Sequence, residues 1–194
     1  MLVLIRGAGD LASGVSLRLH RAGFPVVMTD LPKPTAIRRT VCFSQAIRFG
    51  TTMVEDTEGV CCHTAREVKA ALDAEKIPVL PDETAKCKDW LHPDVLVDGI
   101  LAKKNLGTKM SDAPLVIALG PGFCAGRDCH AVIETMRGHS LGRIIREGSA
   151  MPNTGVPGII AGYGKERVVH APADGTLHIL HDIGDSVEKG ELLG

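Results

Sequence analysis

Aromatic residues are scarce in this chain of 194 residues: they make up 3% of the sequence, with one Trp and one Tyr. Proteins that bind single-stranded nucleic acid stack the bases on aromatic side chains, so this composition argues against such a partner. Charge is nearly balanced, with 22 basic and 23 acidic residues and a formal net charge of −1. The chain therefore offers no overall basic field to a nucleic acid or an anionic membrane.

Long apolar runs are also absent. No stretch approaches the roughly 20 residues that a membrane-spanning helix needs, and glycine interrupts the opening MLVLIRGAGD too soon for a signal peptide. The six cysteines include no Cys-x-x-Cys pair and are too few for a dense disulfide framework. We therefore expect a cytoplasmic protein with reduced thiols. Its apolar content of 44% is enough for a core of ordinary size.

The first thirty residues predict a β–α–β unit. Residues 2–6 form a continuous apolar run, which is typical of a strand buried on both faces of a parallel sheet. After a glycine-rich break, Leu11, Val15 and Leu19 recur at helical spacing. Residues 25–30 then predict a second strand, so the unit indicates the start of a parallel α/β sheet.

The break between the first strand and the helix matches the dinucleotide-binding pattern G-x-G-x-x-G/A. The matching residues are Gly7, Ala8, Gly9, Asp10, Leu11 and Ala12. In this pattern Gly7 permits the tight turn, and Gly9 lets a pyrophosphate approach the backbone. Small residues at Ala12 and Gly14 are expected to let the helix lie close to the strand. The helix N-terminus supplies free N–H groups for phosphate.

An acid at the end of the second predicted strand, Asp30, is placed to hydrogen-bond a ribose diol. It favours NAD over NADP. Arg38 and Arg39 leave recognition of a 2′-phosphate open, although we expect both to be solvated. Asp10 argues against plain NAD binding, because it puts a carboxylate at the phosphate position. It either caps the helix or selects another ligand, and a turn that binds nothing is the remaining alternative.

Strands and helices continue to alternate as far as Gly120. The predicted elements are a helix at 65–75 and strands at 77–80, 94–101 and 115–119. Beyond that point, further strands are predicted at 129–136, 142–146 and 167–170. We predict an α/β fold: a Rossmann-like nucleotide-binding domain over 1–126, a β-rich extension over 127–166, and the start of a small β module over 167–194.

A second glycine loop follows the strand predicted at 115–119. Ligands of doubly wound sheets bind beyond the carboxyl ends of the strands, so we expect this loop to face the same crevice as the first. Two lysines nearby could hold an anionic group, and an ordinary solvated basic loop is the alternative. The candidate binding residues in this part of the chain are Asp98, Lys103, Gly120, Gly122 and Phe123.

Metal binding is only weakly indicated. The candidate ligands are Cys129, His130, Glu134 and His139, and their spacing fits no standard zinc signature. A polar ligand pocket and purely structural roles are the alternatives for these four residues. Adjacent cysteines chelate one ion poorly, so the run 61–63 (Cys-Cys-His) is a still weaker candidate. We therefore predict no metal.

Several long motifs together resemble the YqeB family, which comprises accessory proteins encoded with selenium-dependent molybdenum hydroxylases. The motifs are GAGDLASGVSLRLHRAGFPVVMTD, RRTVCF, DGILAKKN, APLVIALGPGFCAG, DCHAVIETMRGH, GRIIREGSAMPNTG and APADG. The family is distantly similar to XdhC-type maturation factors, which share a Rossmann-like domain and serve the molybdenum cofactor. The resemblance implies a role in assembling or inserting that cofactor. It also implies that the tail begins a biotinyl/lipoyl-like module, a partial barrel-sandwich hybrid that continues past Gly194.

Three functions follow as hypotheses. The first is an accessory protein that binds a molybdopterin-type dinucleotide and works with a molybdenum hydroxylase or its maturation machinery. The second is an NAD(P)-dependent oxidoreductase, and the third is an interaction scaffold without a ligand. The sequence leaves open whether any reaction is catalysed and whether the chain forms a homo-oligomer.

Overall fold

A computed structural model describes residues 1–156 and 158–194, with only the backbone described at Arg167. The chain divides into two compact units, Met1–Pro152 and Asn153–Gly194. The strands are β1 (Val3–Arg6), β2 (Val26–Asp30), β3 (Thr51–Val54), β4 (Thr57–Cys61), β5 (Ile77–Pro81), β6 (Val95–Asp98), β7 (Leu115–Leu119), β8 (Ala131–Ile133) and β9 (Ile144–Ile145). The α-helices are α1 (Asp10–Arg21), α2 (Gln45–Phe49), α3 (Ala65–Asp73) and α4 (Lys88–Leu91). Short 3-10 helices occupy Arg39–Val41, Met110–Asp112 and Lys165–Arg167.

The strands form one mainly parallel sheet in the order β3-β4-β5-β2-β1-β6-β7-β8-β9. Only the edge strands β3 and β9 pair antiparallel with their neighbours. Seven strands, β4 and those from β5 to β8 in the sheet, run parallel. When the six from β5 to β8 are numbered among themselves in chain order, they lie in the spatial order third, second, first, fourth, fifth, sixth. The order therefore reverses between β1 and β6, and open α/β sheets bind ligands at such a point, beyond the carboxyl ends of the strands. The predicted α/β class is confirmed.

The central strand β1 is buried on both faces, as its apolar run predicts. Val3 and Ile5 pack on one face with residues of α1, while Leu4 packs on the other face with residues of α3. Because side chains alternate along a strand, Arg6 lies on the same face as Leu4. The charged side chain of Arg6 therefore lies on the face of the sheet opposite α1.

Small residues form most of the buried side of α1, which consists of Ala12, Ser13, Ser16 and Leu17. The predicted apolar stripe is wrong at Leu11, whose side chain is half exposed. Ala12 does allow close approach, since a Cβ on Gly99 would lie 3.0 Å from the Cβ of Ala12. Gly14 has no such role, because it is exposed and a Cβ there would meet nothing within 4 Å.

Two segments differ from the sequence prediction. The hairpin of β3 and β4 was not predicted. It turns at Glu55, a non-glycine residue with a φ of 54°. The strand predicted at 167–170 is wrong, because this segment contains the end of a 3-10 helix followed by irregular backbone. The strands predicted at 129–136 and 142–146 are present as the shorter β8 and β9.

The second unit, by itself, contains turns that the sequence predicts. Gly184 and Gly190 each take a positive φ in a turn. The N–H of Leu180 donates to the carbonyl of Leu193 across these turns, at 3.0 Å. The described residues of this unit contain no strand, so the barrel-sandwich module stays a prediction. In the described parts of both units, no helix is long and apolar enough to cross a membrane.

The packing of α1 leads to a paired prediction on stability. Gly14→Ala should raise the free energy of unfolding by about 0.5–1 kcal/mol, because it removes a flexible glycine from an exposed helix interior. Ala12→Val should lower it by about 1–3 kcal/mol, because the added methyl groups have no room against Gly99. Urea denaturation of both variants measures the two effects. Equal effects of the two substitutions would contradict the assigned helix orientation.

Candidate functional site

A pocket of about 650 Å³ lies at the carboxyl ends of the central strands. Its walls come from the glycine turn after β1, the end of β2, and the segments that follow β2, β5 and β6. Each wall is a loop attached to a buried strand, so a rigid sheet positions all of them. The pocket therefore occupies the place where the strand order reverses.

The turn directly after β1 has a backbone conformation that requires glycine at its first position, Gly7. Gly7 has a φ of 98°, and a Cβ there would lie 3.0 Å from the backbone of Ile100. Gly9 differs, because its φ is −71° and a Cβ there would meet nothing within 4 Å. The space over Gly9 is therefore open to a ligand, at the N-terminus of the 12-residue helix α1.

Asp30 lies in the pocket at the end of β2 and fixes the glycine turn. Its Oδ2 accepts a hydrogen bond from the N–H of Ala8 at 2.8 Å, and its Oδ1 accepts one from Leu31 at 2.7 Å. Burial raises the pKa of Asp30 above its ordinary value, and these two donors oppose that rise. The carboxylate keeps further lone pairs, so a ligand hydroxyl can also donate to it.

Asp10 begins helix α1, and both of its carboxylate oxygens are engaged. Its Oδ1 accepts a hydrogen bond from the N–H of Leu11 at 3.0 Å, and its Oδ2 forms an ion pair with Arg38. The Arg38 side chain is 69% exposed, so the expectation that it is solvated holds alongside the ion pair. The Asp10 carboxylate is thus balanced by a cation that also lines the pocket.

The loop after β2 is tied back to the glycine turn. The N–H of Phe43 donates to Ser13 Oγ at 2.9 Å, and Ser13 Oγ in turn donates to the carbonyl of Ala8 at 3.2 Å. The N–H of Ser44 reaches the same carbonyl at 3.0 Å. These bonds fix the end of a loop whose earlier part lines the pocket.

A thiol in this loop also lines the pocket. Cys42 is buried, and its Sγ donates to the carbonyl of Arg38 at 2.9 Å. Burial, reinforced by the nearby Asp10 and Asp30 carboxylates, raises the pKa of Cys42 to about 11. Cys42 is therefore a neutral thiol at neutral pH and a poor nucleophile.

A buried arginine forms part of the pocket floor. Arg6 Nη1 donates to Thr108 Oγ1 at 2.8 Å and lies 3.6 Å from Asp98 Oδ2, while Nη2 donates to the carbonyl of Leu106 at 2.8 Å. Thr108 Oγ1 donates to Asp98 Oδ2 at 2.5 Å. Burial raises the pKa of Asp98, against the bonds from Thr108 and Ile100 and the charge of Arg6. Asp98 thus supports the floor through Arg6 and does not itself line the pocket.

The second glycine loop does not line this pocket. A Cβ on Gly120 would lie 2.5 Å from Thr135 Oγ1, and one on Gly122 would lie 2.6 Å from the backbone of Lys104. Both glycines therefore allow close approach of the chain to itself. Phe123 is buried in the core, and Lys103 is exposed outside the pocket lining.

The four weak metal candidates have separate environments. Glu134 accepts hydrogen bonds from the N–H groups of Met136 and Met151, at 2.7 and 2.8 Å. His130 Nδ1 accepts one from the N–H of Val116, at 2.9 Å. Cys129 is buried and His139 is exposed. The described residues contain no group of three or more His, Cys, Asp or Glu placed to hold a metal ion.

Sequence reasoning missed the floor of the pocket. The apolar and polar patterns place Arg6 and Thr29 at the ends of predicted strands, and no pattern marks Thr108. One signal was present in the sequence. A charged residue ends the apolar run of β1 directly before the glycine turn, and a buried charge needs a partner. That partner, Asp98, was predicted as a site residue for a different reason.

The fold and the pocket define an α/β protein with a ligand-sized crevice at the carboxyl edge of a mainly parallel sheet. The chain is 50% identical over 192 residues to the Escherichia coli (strain K12) protein named "Uncharacterized protein YqeB". The aligned region covers 99% of this chain and 36% of that relative, so the chain spans a little over a third of its length. This similarity agrees with the resemblance that the sequence motifs show. No protein-family model and no solved structure matches the chain.

The two glycines of the turn should respond differently to a methyl group. Gly7→Ala should lower the free energy of unfolding by about 1–3 kcal/mol, because alanine is strained at this positive φ and its Cβ crowds Ile100. Gly9→Ala should change it by less than about 0.5 kcal/mol, because its φ is ordinary and the space is open. Chemical denaturation measures both. A large loss of stability in Gly9→Ala would show that the space over Gly9 is filled by the protein itself.

Proposed function

We propose that this pocket binds a nucleotide-containing cofactor in a Rossmann-like domain, and that the protein is an accessory factor for a molybdenum hydroxylase. One observation carries the binding proposal: the open space over Gly9. This space lies at the N-terminus of α1, beside the point where the strand order reverses. The six strands from β5 to β8 in the sheet, numbered among themselves, have the order third-second-first-fourth-fifth-sixth that dinucleotide-binding domains use, and β4 adds a further parallel strand beside β5.

The phosphate part of the ligand is assigned to the space over Gly9. A helix N-terminus favours an anion through its free N–H groups and its positive dipole end. No side chain caps α1 at Gly9. The Asp10 carboxylate opposes a phosphate, but its ion pair with Arg38 offsets that charge.

The ribose part of the ligand is assigned to Asp30. Each carboxylate oxygen already accepts one backbone N–H, so the group is held in place and still has lone pairs for a ribose hydroxyl. The distance along the chain from the glycine turn to this acid fits the dinucleotide pattern. The pocket volume of about 650 Å³ lies within the range of small-molecule sites.

The accessory role rests on the resemblance to the YqeB family. A molybdopterin-type dinucleotide carries a diphosphate and a ribose, so the groups assigned above would hold it as they would hold NAD. In this proposal the dinucleotide is cargo that passes to a molybdenum hydroxylase or its maturation machinery. The selenium dependence of that hydroxylase is likewise taken from the resemblance.

Filling the space over Gly9 tests nucleotide binding. Gly9→Val should leave the fold intact and abolish binding of a dinucleotide, because its side chain would occupy the phosphate position. Calorimetric titration with molybdopterin cytosine dinucleotide and with NAD measures this, with Gly14→Ala as the matched control on the same helix. Unchanged affinity in Gly9→Val would contradict the assignment, as would a wild-type protein that binds no nucleotide or pterin.

An NAD-dependent oxidoreductase is the second candidate, and Asp30 favours it because an acid at this position suits an unphosphorylated ribose. If it is correct, NAD or NADH should raise the Tm by several degrees at a concentration about 100 times Kd, since such binding adds about 2.7 kcal/mol. NADP should shift the Tm less, and Asp30→Ala should abolish the shift. A Tm unmoved by millimolar NAD and NADH would exclude this candidate.

A further inference from the structure

Two buried polar groups on the pocket floor lack partners among the residues that the structure describes. They are Nε of Arg6 and Oγ1 of Thr29. Arg6 is 5% exposed and Thr29 is 0% exposed. A buried donor without an acceptor is unfavourable, and folded proteins rarely tolerate one without a reason.

These two groups belong to neighbouring residues at the edge of the sheet. Arg6 lies directly opposite Thr29 in the parallel register of β1 and β2, which are about 4.8 Å apart. Both residues line the pocket. The other two buried hydroxyls without partners among the described residues, those of Ser16 and Ser44, belong to residues that do not line it. The two unsatisfied groups of the floor thus belong to neighbouring residues of the pocket lining.

The charge on the floor is already balanced. The guanidinium of Arg6 lies 3.6 Å from Asp98 Oδ2, and its two terminal nitrogens donate to Thr108 Oγ1 and to main-chain carbonyls. An additional anion would leave an uncompensated negative charge in a buried place, which is unfavourable. A neutral oxygen acceptor would satisfy Nε without that penalty. The adjoining Ile100 and Leu106 also line the pocket and suit a planar ring.

We propose that Arg6 and Thr29 form a second subsite, which binds the neutral carbonyl oxygen of a lactam or carboxamide on a heterocycle of the bound nucleotide. The inference rests on the proposed function, since it assumes that the pocket binds such a ligand. Nε of Arg6 and the hydroxyl of Thr29 both donate to this oxygen. The subsite lies on the face of the sheet opposite α1, whereas the phosphate position lies at the N-terminus of that helix.

The test compares ligands that differ in the carbonyl-bearing group. NAD carries a carboxamide ring that ADP-ribose lacks, and IMP carries a lactam oxygen where AMP has an amino group. Dissociation constants for all four are measured by calorimetric titration on the full chain. The variants are Thr29→Val, which keeps the side-chain shape, and Arg6→Lys, which keeps the charge and loses Nε. Ser16→Ala is the control, because it removes an unpartnered hydroxyl outside the pocket.

In at least one pair, the wild-type protein should bind the carbonyl-bearing ligand about fivefold more tightly, as expected for a hydrogen bond worth about 1 kcal/mol. Thr29→Val should weaken this preference, because one of the two donors is lost, while leaving the affinity for ADP-ribose or AMP unchanged. Ser16→Ala should retain the preference. Because Thr29→Val also removes a buried hydroxyl without a partner, the Tm of the free protein should not fall.

Three results would overturn the subsite. These are no preference in either pair, a preference that is as strong in Thr29→Val as in the wild type, or a lower Tm in that variant, which would mean that a structural water satisfies the hydroxyl. The affinities of Arg6→Lys are compared only if its circular dichroism spectrum matches the wild type. If it does not, the test rests on Thr29→Val alone. Binding of ADP-ribose or AMP without a carbonyl preference would overturn the subsite alone. No binding of any of the four ligands would count against the proposed nucleotide pocket, and the subsite would fall with it.

Discussion

The guanidinium of Arg6 connects the segments of chain that surround the pocket. From the end of β1 it reaches the carbonyls of Glu83 and Leu106 and the hydroxyl of Thr108, beside the Asp98 carboxylate. The loops after β5 and β6 are therefore held against the central strand by one side chain. Loss of Asp98 alone would leave a buried, uncompensated charge, which generally destabilises a protein more than loss of a surface pair does. The pocket walls depend on this buried pair.

The same end of the sheet combines two kinds of anchor. On the α1 side, the groups held in place belong to the backbone of Ala8: its N–H donates to the Asp30 carboxylate, and its carbonyl accepts from the Ser13 hydroxyl and the Ser44 N–H. On the opposite side, the anchors are the side chains around Arg6. A ligand in the proposed pose would touch a main-chain surface with its phosphates and a side-chain surface with its ring.

Local sequence was sufficient to predict the first β–α–β unit. A continuous apolar run and a glycine pattern with a helix after it specify the strand, the turn and the helix within some thirty residues. The role of Gly7 followed from the tight turn, and its φ of 98° agrees. The α/β class followed from the alternation of strands and helices. These features depend on residues that are close together in the sequence, so sequence patterns can predict them.

Features set by distant parts of the chain were harder to predict. On α1, the position that fits against Gly99 is taken by the small residue Ala12, and the helical spacing of larger residues was wrong at Leu11, which is half exposed. The β3–β4 hairpin turns at Glu55 without a glycine signal. The loop at Gly120 and Gly122 looked like a ligand loop, but its glycines make room for Thr135 and Lys104. The proximity of Arg6 and Thr29 could not be predicted from the sequence, because it depends on the register of β1 and β2.

The register of β1 also has a consequence for the order of events during synthesis. Its pairing with β2 joins residues close in the chain, whereas the partner of Arg6 at Thr108 lies 102 residues further on. Domains fold largely in the order in which they emerge, at about 5–20 residues per second. On a ribosome, several seconds would pass before the segment that carries Asp98 and Thr108 could pair with this arginine and bury it. The nascent chain would expose that strand end until then.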